Sequence, residues 1–168
     1  LGSSKAGVIL LASTVISALA LGFLTRFSDS GEKKSLPLKS GKSKTGALTG
    51  AVESSVESTL LICGWVIVFG AVRQIVSDAP LPPKISLLAD MLCEVTNGCK
   101  TSAENFSLPV TAFTLGFSGF SVHAQVMPFA ESTNLKYSLF LAFRIFNGAL
   151  CAAVSALLFH FFPCEIQV

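Results

Sequence analysis

Two short runs concentrate the residue types that could do chemistry in this chain. The first is Leu92-Cys93-Glu94-Val95-Thr96-Asn97-Gly98-Cys99. It places a carboxylate, a hydroxyl and an amide side by side, ahead of a glycine that can adopt positive φ and end a helix. A helix that stops here inside a membrane leaves its last carbonyls free to ligate a cation or a donor group. Desolvation in such a place raises the pKa of Glu94, which suits a proton carrier. The plainer alternative puts the segment at the outer interface, with Glu94, Asn97 and Lys100 solvated. The second run is Gly116-Phe117-Ser118-Gly119-Phe120-Ser121-Val122-His123-Ala124-Gln125. Its tandem Gly-Phe-Ser triplets permit close backbone approach and unwinding. His123 and Gln125 then stand in an otherwise uncharged stretch, as partners for a solute or as a buried, hydrogen-bonded packing contact.

The elements that must position these runs are membrane helices. Residues 6–25 form an uncharged stretch long enough to cross a hydrocarbon core of roughly 30 Å. Residues 59–76 form a second, interrupted by Arg73, and residues 138–162 a third, with Arg144 inside it. Between them, residues 85–103 carry Asp90, Glu94, Asn97, Gly98 and Lys100, while residues 105–130 contain Pro109, Gly116, Gly119 and Pro128. Both read as interrupted segments, tolerable in a bilayer only where they line a cavity or are buried in protein. The chain is expected to break its helix within a few residues of Asn97-Gly98 and again near Gly116–Gly119. The fold class is therefore all-α and polytopic, with about three full spans and two broken or re-entrant elements. Its organisation is a transmembrane helix (1–25), a basic loop (26–45) and a membrane repeat (46–168).

Composition agrees with the bilayer as solvent. Hydrophobic residues make up 51% of the 168 and charged residues 13%, with a mean hydropathy of +0.67. Soluble domains carry about 25% charged residues, so a normal soluble surface is excluded, and so is disorder. Net charge is only +2, and six of the twelve Lys and Arg fall in one loop: Arg26, Lys33, Lys34, Lys39, Lys42 and Lys44. That pattern argues against nucleic acid. It places the loop on the cytoplasmic side by the positive-inside rule, and residues 28–44 are expected to be the least ordered part. Residues 46–58 read as an amphipathic lead-in to the second span. Residues 77–84 then lie outside. The chain reads as the C-terminal portion of a longer protein.

Five cysteines show no paired metal-type spacing. Cys93 and Cys99 could bridge in an oxidising exterior or, with His123, hold a soft metal. Arg73 and Arg144 are expected to snorkel, with pairing to Glu94 or to an anionic solute the sharper alternative for Arg144. No Ser/His/Asp order, Walker loop or zinc-hydrolase motif occurs, so no catalytic residue, metal or cofactor is assigned and the chain is not read as an enzyme.

The Glu94–Gly98 run, followed by the Gly116–Gln125 run, resembles the C-terminal half of the sporulation integral membrane protein family of the YlbJ type. That family is similar to proteins with a gate, or nucleoside-recognition, domain, among them concentrative nucleoside transporters and the ferrous-iron permease. Residues 51–72, with Gly64-Trp65-Val66-Ile67-Val68-Phe69 inside, also resemble the opening helix of a gate repeat. The similarity covers roughly residues 46–165. It implies a multi-pass cell-membrane protein of endospore and spore-cortex formation. A permease or solute-recognition role follows, with alternating access around unwound helix ends. Glu94, Thr96 and Asn97 would act from one element and Ser118, His123 and Gln125 from the other, on a small polar or nucleoside-like solute with a coupling ion. The competing expectation is a scaffold for sporulation membrane proteins or a homo-oligomer, without transport.

Overall fold

The computed structural model describes residues 4–26, 44–131 and 136–163, and the side chains of 44–45 and 128–131 are left aside. Most of the basic loop falls outside these residues, and the expectations about it rest there.

Seven helices follow one another, with no strand among the described residues. They are α1 (Ser4–Arg26), α2 (Lys44–Asp78), α3 (Pro83–Cys93), α4 (Val95–Asn105), α5 (Leu108–Phe117), α6 (Gly119–Glu131) and α7 (Tyr137–Phe161). Three of them, α1, α2 and α7, are long and apolar enough to cross a membrane. Prolines sit where their missing N–H is harmless: Pro83 and Pro109 occupy the first turns of α3 and α5. The amphipathic lead-in and the second span are one continuous 35-residue helix. At 1.5 Å per residue that helix is about 50 Å long, so it extends well beyond the hydrocarbon.

The core lies where α1, α5 and α7 meet, around Ala6, Ile9, Leu10, Leu108, Ala112 and Cys151. Helices α1 and α7 run antiparallel. Lys5, Val8 and Ile9 face Leu158 and Phe161 at one end, and Leu21, Gly22 and Thr25 face Phe140 and Arg144 at the other. Small residues let the backbones close up. A Cβ on Gly116 would lie 3.0 Å from both Cys151 Cβ and Gly148 Cα, and one on Gly148 would lie 3.1 Å from the Phe113 ring. This is the membrane mode of packing, by close contact of small side chains.

Burial is inverted relative to a soluble protein. The largest fully buried side chains are His123, Thr111 and Thr114, joined by Cys151 and several serines, whereas large apolar side chains stand exposed along α1, α2 and α7. Within its most apolar stretch α2 buries nothing. Such a surface is stable only against lipid or other apolar helices, and the molecule is an all-α polytopic membrane protein.

Candidate functional site

The first helix break falls at Glu94, three residues before Asn97 and within the expected range. Glu94 is extended (φ −144°, ψ 133°) between α3 and α4, and Asn97 and Gly98 lie in the first turn of the second helix. The expected polarity is therefore reversed: the polar run opens a helix instead of closing one. Glu94 Oε1 accepts from the Thr96 N–H at 3.0 Å. Its Oε2 accepts from the Asn97 N–H at 2.9 Å and from Asn97 Nδ2 at 3.1 Å. The expected upward shift of its pKa is corrected accordingly. Burial pushes the carboxyl up, but the hydrogen bonds from Thr96 and Asn97 outweigh it and hold the group below the usual carboxylate range. Glu94 caps the first turn of α4.

Gly98 makes the turn sharp. A Cβ there would sit 2.6 Å from the Met91 carbonyl oxygen and 2.9 Å from Thr114 Cγ2. The first turn of α4 thus lies directly against the end of α3 and against α5, which only glycine allows.

The second break falls at Ser118, where the Gly-Phe-Ser repeats place it. Ser118 (φ 71°) and Gly119 (φ 68°) are consecutive left-handed residues, a conformation costly for serine and free for glycine. The break releases carbonyls at the end of α5, and two side chains take them. Asn147 Nδ2 donates to the Gly116 oxygen at 3.0 Å, and His123 Nε2 lies 3.0 Å from the Phe117 oxygen. A carbonyl only accepts, so Nε2 carries the proton in this contact. His123 Nδ1 is then a lone-pair acceptor, buried and without a partner among the described residues. Its ring is 2% exposed and packs edge-on against Phe117, Phe120 and Phe140.

The two breaks touch. A Cβ on Gly119 would be 3.1 Å from Val95 N and 3.2 Å from the Glu94 carbonyl carbon. Of the expected site residues, Glu94, Thr96 and Asn97 form one hydrogen-bonded unit. Ser118 accepts from Arg144 of α7 and His123 packs on Phe140 of the same helix, and the backbone of Gly119 lies against Glu94 and Val95. Among the described residues no hydrogen bond links Glu94 to His123. Thr96 is exposed and Gln125 half-buried.

Both arginines have partners within the protein. Arg73 Nε pairs with Asp90 Oδ1 at 2.9 Å, joining α2 to α3. Arg144 reaches Ser118 Oγ at 3.4 Å and stacks over Phe140 at 5.3 Å, and its suggested pairing with Glu94 is not made. Asn147 is the residue that sequence reasoning missed. Its signal was its place three residues after Arg144, on the same helix face. Cys93 and Cys99 are free thiols. Among the described residues no three His, Cys, Asp or Glu side chains are grouped to hold a metal.

The chain is similar to the sporulation integral membrane protein YlbJ of Bacillus subtilis (strain 168), with 27% identity over 201 aligned positions. The alignment covers 93% of this chain and 49% of that protein, so the chain spans about half the length of the curated relative it matches. No family model matches the sequence. No solved structure matches it either.

Proposed function

We propose that this chain is the solute-recognising part of a cell-membrane permease that serves endospore formation, including the spore cortex, and that it is built as a gate-like repeat of the nucleoside-recognition kind. The observation that carries the reading is the contact of the two helix breaks at Gly119 and Glu94–Val95. Interrupted helices side by side are how membrane transporters present backbone polar groups and helix ends to a solute. On this reading Glu94, Thr96 and Asn97 shape one wall. Ser118, His123 and Gln125 shape the other, and together the two walls would hold a small polar or nucleoside-like solute. A coupling ion would be drawn to the same junction. The likeness to a sporulation protein supports the cellular setting.

One observation favours the scaffold alternative: the carbonyls freed at the second break are already satisfied by Asn147 and His123. The two readings separate in proteoliposomes. Vesicles holding the native protein are incubated with a pool of small polar solutes, nucleosides included, and the retained solutes are identified by mass spectrometry. Retention of one class by wild type, reduced at least about tenfold in His123→Phe at equal protein content, is expected; about 1.4 kcal/mol of lost binding suffices for that factor. Retention no greater than in empty vesicles would overturn the permease and leave the scaffold.

A further inference from the structure

A cleft of about 360 Å³ opens between the end of α1 and the start of α7, lined by Gly22, Thr25, Phe140, Phe143, Arg144 and Asn147 among others. Its polar groups are unusual for their depth. Arg144 lies seven residues into α7, roughly 10 Å along the helix. Its guanidinium carries five N–H donors in a planar fork. The only hydrogen bond it makes among the described residues is the long one to Ser118 Oγ at 3.4 Å, and that hydroxyl itself donates to the Leu115 oxygen. No described carboxylate pairs with Arg144, and Glu94 is committed to its own helix. A cation at this depth is costly when unpaired. One turn further on, Asn147 spends its amide nitrogen on Gly116. The cleft therefore offers a fixed cation with spare donors.

We infer that the Arg144–Asn147 cleft binds a phosphate-type oxyanion. The anionic oxygens would engage the guanidinium fork, the geometry at which arginine excels. A hydrogenphosphate group and a phosphatidylglycerol headgroup both have this chemistry. Phe140, stacked against the guanidinium, holds the fork in place. The site stands on α1 and α7, so its test does not depend on whether the helix breaks recognise a solute.

The test is thermal unfolding of the native protein in neutral detergent, with inorganic phosphate against chloride at matched ionic strength, and in phosphatidylcholine nanodiscs with or without phosphatidylglycerol. Wild type should gain about 3 °C or more in apparent Tm from at least one of the two, as expected for a ligand well above its Kd. A gain from inorganic phosphate identifies a free anion, and a gain from phosphatidylglycerol alone identifies the headgroup. Arg144→Gln should abolish the gain. Gly22→Leu is the second variant, because a Cβ on Gly22 meets nothing within 4 Å; it should fill the cleft, keep the fold and also abolish the gain. Absence of any gain in wild type, or a gain that persists in Gly22→Leu, overturns the site. Failure here together with solute retention in proteoliposomes would overturn this site and leave the solute-recognition reading standing.

Discussion

Glu94 accepts three hydrogen bonds from the two residues that open α4, and this arrangement fixes how it responds to pH. Because its folded pKa is depressed, the stabilisation is present above the unfolded pKa and is lost as pH falls through the folded value. Glu94→Gln keeps one acceptor and should cost about 1 kcal/mol at neutral pH, and Glu94→Ala about 1–2 kcal/mol, the range of N-cap losses. Thermal unfolding in detergent should show the difference between wild type and Gln shrinking as pH is lowered through the acid range. A difference that grows toward acid pH would contradict the capping role. The identity of Glu94 as a special residue was legible in the sequence, but its role was not. Spacing does not say on which side of a break a carboxylate falls, and the two sides shift its pKa in opposite directions. Ser118 and His123 were legible because polar residues and glycines interrupt an apolar run. Asn147 escaped notice because a single amide in a span reads as tolerated, and its value lies in a carbonyl freed on another helix.

At the scale of elements, the close contact of α5 with α7 and the contact between the breaks both depend on absent side chains. Gly116→Val would push against Cys151 and the backbone of α7 and should destabilise by about 1–3 kcal/mol, the usual cost of overpacking. Gly70→Ala is the control. A Cβ on Gly70 meets nothing within 4 Å, so the change should be neutral or stabilising by up to about 1 kcal/mol. Equal Tm changes for the two variants would contradict the close α5–α7 approach. Gly119→Ala combines a positive φ with backbone at 3.1 Å and should cost about 1–3 kcal/mol, while loosening the junction of the breaks. The second break was readable because two glycines flank Ser118. The first was readable to within a few residues, but not the role of Gly98, which serves close packing on Met91, a tertiary reason that glycine's poor helix propensity does not reveal.

For the molecule as a whole, the three spans follow from long uncharged stretches, since hydrocarbon penalises each charge by several kcal/mol. How the helices meet was less visible. The interior mixes a few Ala, Ile and Leu side chains with Ser, Thr, Gly and Cys, which carry little hydrophobic signal, and most of the large apolar residues face outward. The central claim is that the two breaks, distant in sequence, form one junction. Disulfide cross-linking tests it most directly. Native cysteines are replaced by alanine, and Val95→Cys is combined with Gly119→Cys in membranes treated with a mild oxidant. Gly116→Cys with Cys151 retained serves as the control pair across α5 and α7, where the Cβ atoms would be 3.0 Å apart. The account predicts that the 95–119 pair cross-links, because the Gly119 Cβ position lies 3.1 Å from Val95 N. A control pair that forms while the 95–119 pair stays reduced would show that the two breaks do not meet.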